Sequence, residues 1–271
     1  MLARVQLWWT ILSMCIAERL AYRGDFVLGT TMRFLPIVTQ IFLWTAVFAS
    51  ANSGQMVGFT RDDIVAYYLL TMIARAFSSM PGLASGIARQ IRDGEIKKFL
   101  IQPIDLIGFS LLARLGHKMV YYGVAIGPFA VVFYLCRHYF PGWPPAETMV
   151  AFLISLLLSF ALGFFLEASL GLLGFWTLEI SSLLFVYMLF NFFFSGHMFP
   201  LDILPEPYQS WIKHLPLQYL AYFPAAVFLE KIPADQLWRE ILIQAGWVVI
   251  FIVLCRRLMH AGFRRYSGFG G

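Results

Sequence analysis

Charge is what this 271-residue chain has least of: Asp, Glu, Lys and Arg make up 13% of it, against 60% hydrophobic residues. A soluble domain carries about 25% charged residues. A chain with half that share cannot cover a globule of this size with polar side chains, which excludes a water-soluble enzyme. Disorder is excluded by the opposite criterion, since it needs low hydrophobicity and high charge. Cysteine is nearly absent as well. Cys15, Cys136 and Cys255 lie far apart, with no CxxC pair and no histidine at ligand spacing, so neither a metal site nor a disulfide framework is expected. There is no Gly-x-x-x-x-Gly-Lys-Ser/Thr loop to cradle a nucleotide. Nor is there an HExxH or GxSxG motif.

What the chain does have is long uncharged runs. A membrane-crossing helix needs about 20 mostly apolar residues. Phe34 to Thr60 is free of charge and gives a first span at 28–50; Ile64 to Ala88 holds only Arg75 and gives a second at 62–82. Met119 to Cys136 gives a third, Thr148 to Leu172 a fourth with Glu167 inside it, Ile180 to Leu201 a fifth, and a sixth runs from Gln236 to Cys255. The expected class is an all-α polytopic membrane protein with six transmembrane helices.

An even number of spans puts both termini on one side, and the basic residues say which. The N-terminal segment (Arg4, Arg19, Arg23, Arg33), the 82–118 connection (Arg89, Arg92, Lys97, Lys98, Arg114, Lys118) and the C-terminal segment (Arg256, Arg257, Arg264, Arg265) hold fourteen of the 20 Lys and Arg. The opposite side holds five: Arg61, Arg137, Lys213, Lys231 and Arg239. Basic loops stay cytoplasmic, so both termini are expected there, and the net charge of +5 records topology rather than nucleic-acid binding.

Three segments fit neither spans nor short turns. Val5 to Ala17 is apolar but too short to cross, lacks a small-residue cleavage site and carries Trp8 and Trp9; residues 1–24 are expected to form an interfacial helix. Residues 84–106, ASGIARQIRDGEIKKFLIQPIDL, interleave Ile87, Ile91, Ile96, Phe99 and Leu100 with four cations, which predicts a short amphipathic helix, a break at Asp93-Gly94 and another turn. Residues 198–231 carry five prolines yet are too apolar for a solvated loop. Irregular backbone at membrane depth must be buried in protein or line a cavity, so this segment is expected to dip back as a re-entrant hairpin between spans five and six.

Isolated polar residues supply the remaining candidates. Arg75 and Glu167 are the ionisable groups deepest in the expected spans, where a charge costs about 2.5–3.5 kcal/mol; they either pair or line a path, or else snorkel and bond to a neighbouring helix. His197 and Asp202 share the His-x-x-x-x-Asp spacing by which some lipid acyltransferases orient a base, giving the alternative of a membrane-embedded lipid-modifying enzyme. A non-ATP-driven carrier is a further alternative, although no inverted repeat is evident. Gly82-x-x-x-Gly86 and Gly123-x-x-x-Gly127 have the spacing of close helix packing.

Taken in order along the chain, these features resemble an ABC transporter permease of the type-2 exporter class. SGHMFPLDILPEPYQSWIKHLPLQYLAYFPAAVFL (195–229) is similar to that class's succession of Gly, Phe-Pro-Leu, Leu-Pro and Leu-Pro-Leu before the last span, through Phe199, Pro200, Leu201, Pro205, Pro216 and Leu217. IRDGEIKKFLIQPIDL (91–106) and RRYSGFGG (264–271) look like the bacterial subfamily often encoded as paired permeases. The resemblance implies a subunit of the inner membrane that exports its cargo, does no covalent chemistry and holds no cofactor. ATP and Mg would be bound by a separate ATP-binding subunit, and the second permease would be the same chain or a sister chain, both among membrane lipids. It also implies that 84–106 is the coupling helix, with Ile91, Arg92, Asp93, Gly94, Glu95, Ile96, Phe99 and Leu100 meeting the ATPase, and that spans one, two and five line the path.

Overall fold

Most of the described residues are helical. The structure, a computed structural model, describes residues 2–21, 32, 35–50, 55–56, 59–102, 104–140, 142–177 and 179–266. Its α-helices are α1 (Leu2–Ala21), α2 (Leu35–Ser50), α3 (Arg61–Ser78), α4 (Leu83–Arg92), α5 (Lys97–Ile101), α6 (Leu106–Leu135), α7 (Ala146–Leu172), α8 (Ser181–Phe194), α9 (Tyr208–Lys213), α10 (Tyr222–Phe228) and α11 (Ala234–Arg265). Short 3-10 turns lie at Arg137–Tyr139, Leu173–Phe175, Leu201–Ile203 and Pro216–Leu220. The antiparallel pair β1 (Gln55–Met56) and β2 (Phe59–Thr60) sets Gln55 opposite Thr60.

Among the described residues four helical stretches are long and apolar enough to cross a membrane: Arg61–Arg92, which runs through α3 and α4, then Leu106–Leu135, Ala146–Phe175 and Ala234–Arg265. Two apolar helices, α2 and α8, are shorter, at 16 and 14 residues. The N-terminal part of the expected first span, the basic residues Arg23 and Arg33, and the tail 267–271 lie outside the described residues.

Local chemistry sets the helix ends. Thr60 accepts from the Asp63 N–H at 3.1 Å while the Asp63 carboxylate accepts from the Thr60 N–H, a reciprocal cap that opens α3. Asp105 accepts from the Gly108 N–H at 2.7 Å and starts α6. This corrects the sequence reading: the third long helix begins at Leu106, so Arg114 and Lys118 lie within it rather than in a loop before Met119. The Asp105 cap and the apolar run that follows it outweigh the scattered cations that suggested a connection.

α7 is the spine. One end packs with α3, the 216–228 segment and α11 in the larger core, which includes Tyr67, Leu70, Phe152, Tyr219, Phe223 and Val248. Its other end packs with α4, the start of α6 and Cys255 in a second core around Met80, Ile87, Ile96 and Phe164. Glycines on α7 permit this. A Cβ at Gly163 would lie 2.1 Å from the Ser78 carbonyl oxygen, and one at Gly171 would lie 2.7 Å from that of Ala84. The glycine pairs singled out by spacing do no such work within the chain. Gly82, Gly86, Gly123 and Gly127 each have nothing within 4 Å of an added Cβ. Spacing alone could not tell a packed helix face from an open one.

α1 lies along the first turns of α6, with Trp8 against Gly108 and Cys15 and Ile16 against Gly116, so the two helices run in the same direction. Gly163→Ala should destabilise the protein by about 1–3 kcal/mol through overpacking, whereas Gly123→Ala should be neutral. Thermal unfolding of the purified chain in detergent would read the difference, and equal melting temperatures for the two variants would refute the spine assignment.

Candidate functional site

The candidate site has three parts: a hairpin at one end of the spine, a helix break beneath it, and a folded-back segment at the other end. The hairpin comprises α4, the turn 93–96 and α5. Its apolar stripe is turned inward. Leu83, Ala84, Ile87 and Ile91 are buried, and Ile96 is 0% exposed. Gly94 takes φ +74 to turn the chain, and an added Cβ there would lie 3.5 Å from the Tyr266 hydroxyl. Phe99 packs at a tilt against Phe109 of α6, ring centres 5.6 Å apart.

The eight residues read from sequence as one contact surface therefore divide in two. Ile91 and Ile96 hold the hairpin onto the chain's own core, and Phe99 is half-buried against α6. Arg92, Asp93, Glu95 and Leu100 are exposed around Gly94, which is half-buried. Ile101, not singled out from the sequence, is 83% exposed, and Leu100 is 50% exposed. The exposed rim is charged on both sides of the turn. Arg92 reaches Asp93 at 3.5 Å and Glu179 at 3.4 Å, and Lys98 reaches Glu95 at 3.5 Å. Hydrogen bonds from the Ser181 hydroxyl and N–H hold the Glu179 carboxyl below the usual carboxylate range.

Beneath the hairpin the backbone breaks at 79–82, which frees carbonyls at the end of α3. Two cations one turn apart on α6 take them. Lys118, only 6% exposed, donates to Ala76 O and, at 2.8 Å, to Ser79 O; Arg114 donates to Pro81 O at 2.9 Å. Tyr122 donates to Ala76 O at 2.8 Å. From α7, Glu167 accepts from the Met80 N–H and faces the charges of Arg114 and Lys118. Sequence reasoning counted Lys118 and Arg114 as loop charges. The usable signal was their i, i+4 spacing within an otherwise apolar stretch, facing a Pro81-Gly82 break.

At the other end, residues 195–233 fold back into the bundle. Gln218, Tyr219, Leu220 and Tyr222 are buried there. Gln244 on α11 donates to Ser155 O at 3.0 Å and Ser159 Oγ at 3.2 Å, and Ser159 donates to Tyr219 O at 2.6 Å, which pins the segment to α7 and α11. Tyr67 and Tyr68 of α3 donate to the carbonyls of Gly196 and Met198. Of the six hairpin residues named from sequence, Pro200 and Leu201 are buried, Phe199, Pro216 and Leu217 half-buried, and Pro205 exposed.

Arg75 on α3 reaches across to His197 Nε2. His197 Nδ1 has no hydrogen-bond partner. Asp202 accepts instead from Lys213 at 2.6 Å, from Tyr222 at 2.8 Å and from Gln209 at 3.2 Å. A His–Asp relay needs the carboxylate on the second ring nitrogen, so the pair does not form the base that the spacing suggested. Arg75 is engaged with His197, and Glu167 with the Met80 N–H at the 79–82 break.

Among the described residues no group of three or more His, Cys, Asp or Glu could hold a metal ion. A family model described as ABC-2 family transporter protein matches residues 34–270. No curated protein matches the chain.

Ile96→Asp should lower stability by more than about 3 kcal/mol, because it buries an unpaired charge, while Leu100→Asp should leave the melting temperature unchanged. If both variants melt like the parent, Ile96 does not hold the hairpin.

Proposed function

The chain belongs to the ABC-2 family of transporter proteins, and we propose that it is a permease subunit whose 84–106 hairpin docks onto a separate ATP-binding subunit and whose spans form half of an export path. One observation carries this reading. The hairpin presents Leu100 and Ile101, flanked by Lys97 and Lys98, on a rigid mount made by Ile91 and Ile96. Leu100 and Ile101 are adjacent and exposed at 50% and 83%, and an apolar pair rimmed by charged residues is the kind of surface that a partner covers. The basic flank suits an acidic rim on the partner, and the apolar tip suits a groove within it. The mount explains how force applied at the tip reaches the spine instead of bending a loop.

In this reading α2 and α8 complete six crossings, the termini and the 84–106 hairpin lie in the cytoplasm of a bacterial cell, and 195–233 is the re-entrant segment on the outer side. The 14 residues of α8 cover about 21 Å at 1.5 Å per residue, short of the hydrocarbon thickness, and the apolar turn that follows it extends the crossing. Support for burial of the 195–233 backbone comes from the Gln244, Ser159 and Tyr67 bonds, as an irregular segment at membrane depth requires. The second permease is either another copy or a sister chain. ATP and Mg belong to the partner; this chain binds, moves and transmits.

The double variant Leu100→Asp/Ile101→Asp should melt like the parent, yet fail to retain a co-expressed ATP-binding subunit through purification and lose substrate-stimulated ATPase activity in vesicles. Retention of both by a correctly folded variant would sink the proposal.

A further inference from the structure

The outward face of α11 changes character along its length. Leu242, Gly246, Val249 and Val253 follow one another at three- and four-residue steps and point away from the bundle; Leu242 is 72% exposed and Val249 58%. The same stripe continues at the same steps into Arg257, His260 and Arg264, all exposed. The opposite face carries Ile241, Gln244, Val248, Cys255 and Gly262, all buried, so the helix is seated and its outward stripe is real. Where the two halves meet, Ile252, Val253, Ala261, Arg257, His260 and Arg264 border a shallow, open groove on this one helix. Arg256, also on the groove, is spent on Asp105 at 2.7 Å. Among the described residues no carboxylate within salt-bridge distance answers Arg257 or Arg264, and none lines the groove.

We propose that this groove binds the phosphate headgroup of an acidic membrane lipid, whose acyl chains lie along Val249 and Val253. The inference goes beyond the transport role, and it takes only the identity of the leaflet, the cytoplasmic one, from the proposed topology. A lipid fits because the apolar and cationic parts form one continuous face along one helix, in the order that acyl chain and headgroup meet it. A soluble acidic protein would explain the arginines but not the open aliphatic stripe that leads into them. Two guanidinium forks suit phosphate oxygens in bidentate geometry, and basic side chains near the surface draw anionic lipid.

The test is native mass spectrometry of the full-length chain in detergent, titrated with phosphatidylglycerol or phosphatidylcholine. The parent should hold phosphatidylglycerol in preference to phosphatidylcholine. Arg257→Gln/Arg264→Gln should weaken phosphatidylglycerol about tenfold, with phosphatidylcholine adducts and melting temperature unchanged. Arg265→Gln, one residue round the helix, should bind like the parent. An equal loss for Arg265→Gln would reduce the effect to diffuse charge and overturn the site. So would displacement of the lipid by inorganic phosphate alone. A double variant that keeps phosphatidylglycerol but sheds the ATP-binding subunit or dissociates from a second copy would assign the face to a protein and overturn the proposal.

Discussion

In an apolar molecule every backbone group freed by a helix break must find a partner inside the protein, and the rest of this structure depends on how that demand is met. The break at 79–82 exposes the carbonyls of Ala76, Ser79 and Pro81 and the N–H of Met80. Lys118, Arg114 and Tyr122 take the carbonyls, and Glu167 takes the N–H. The break at 195–198 exposes the carbonyls of Gly196 and Met198, and Tyr67 and Tyr68 take those. The charged residues of the spans are therefore not spread along a pore. They sit where helices stop. Three of them, Arg114 and Lys118 of α6 and Glu167 of α7, together with the Tyr122 hydroxyl, let α3 end and the hairpin begin without leaving polar backbone in hydrocarbon, where each orphaned group costs several kcal/mol.

The same accounting explains Arg75 and Glu167, which the sequence singled out together. Glu167 does backbone work, and its neighbouring cations keep a carboxylate tolerable at that depth. Arg75 has a different task, since it meets His197 in the turn after α8 and so ties α3 to the folded-back segment. Asp202 has three donors of its own and organises α9 and α10 around itself, through Lys213 and Tyr222. What looked like one polar pair and one catalytic pair is a set of separate anchors, each closing one discontinuity in the helical bundle.

The sequence made the class legible because sparse charge and long apolar runs depend only on composition. The hairpin was legible too, since a stripe of isoleucines at helical spacing ended by Asp93-Gly94 can form little else, and Gly94 does take the left-handed conformation. Its orientation was not legible. An amphipathic segment buries its apolar stripe against something, and only the fold shows that Ile91 and Ile96 face their own chain while Leu100 and Ile101 face outward. The glycines failed for a related reason. Gly123 and Gly127 have the right spacing but no opposing helix, whereas Gly163 and Gly171 lie eight residues apart and meet the ends of two different helices. The role of Lys118 was hidden because a cation that caps a distant carbonyl reads like any loop lysine until α3 is seen to end beside it.

These contacts bear on how a permease of this design would move. The hairpin is joined to α7 at Gly171, to the 3-10 turn after it at Gly174, to α11 through the core shared with Cys255, and to α6 through Phe109. The folded-back segment is joined to the same α7 and α11 through Ser155, Ser159 and Gln244. Close-packed glycine contacts and buried hydrogen bonds tie these points to one another. α2 and α8 are placed differently. They share few contacts with the spine, and α8 buries none of its residues. Among the described residues α4, α7, α11 and the 195–233 segment thus form one packed unit, α2 is held on α3 through Ile37 and Phe48, and α8 is the least buried of the apolar helices. In the proposed export cycle, force arriving at the hairpin would carry the folded-back segment with it, and α8, the least buried of the three helices α2, α3 and α8 proposed to border the path, is where relative motion would meet the least resistance.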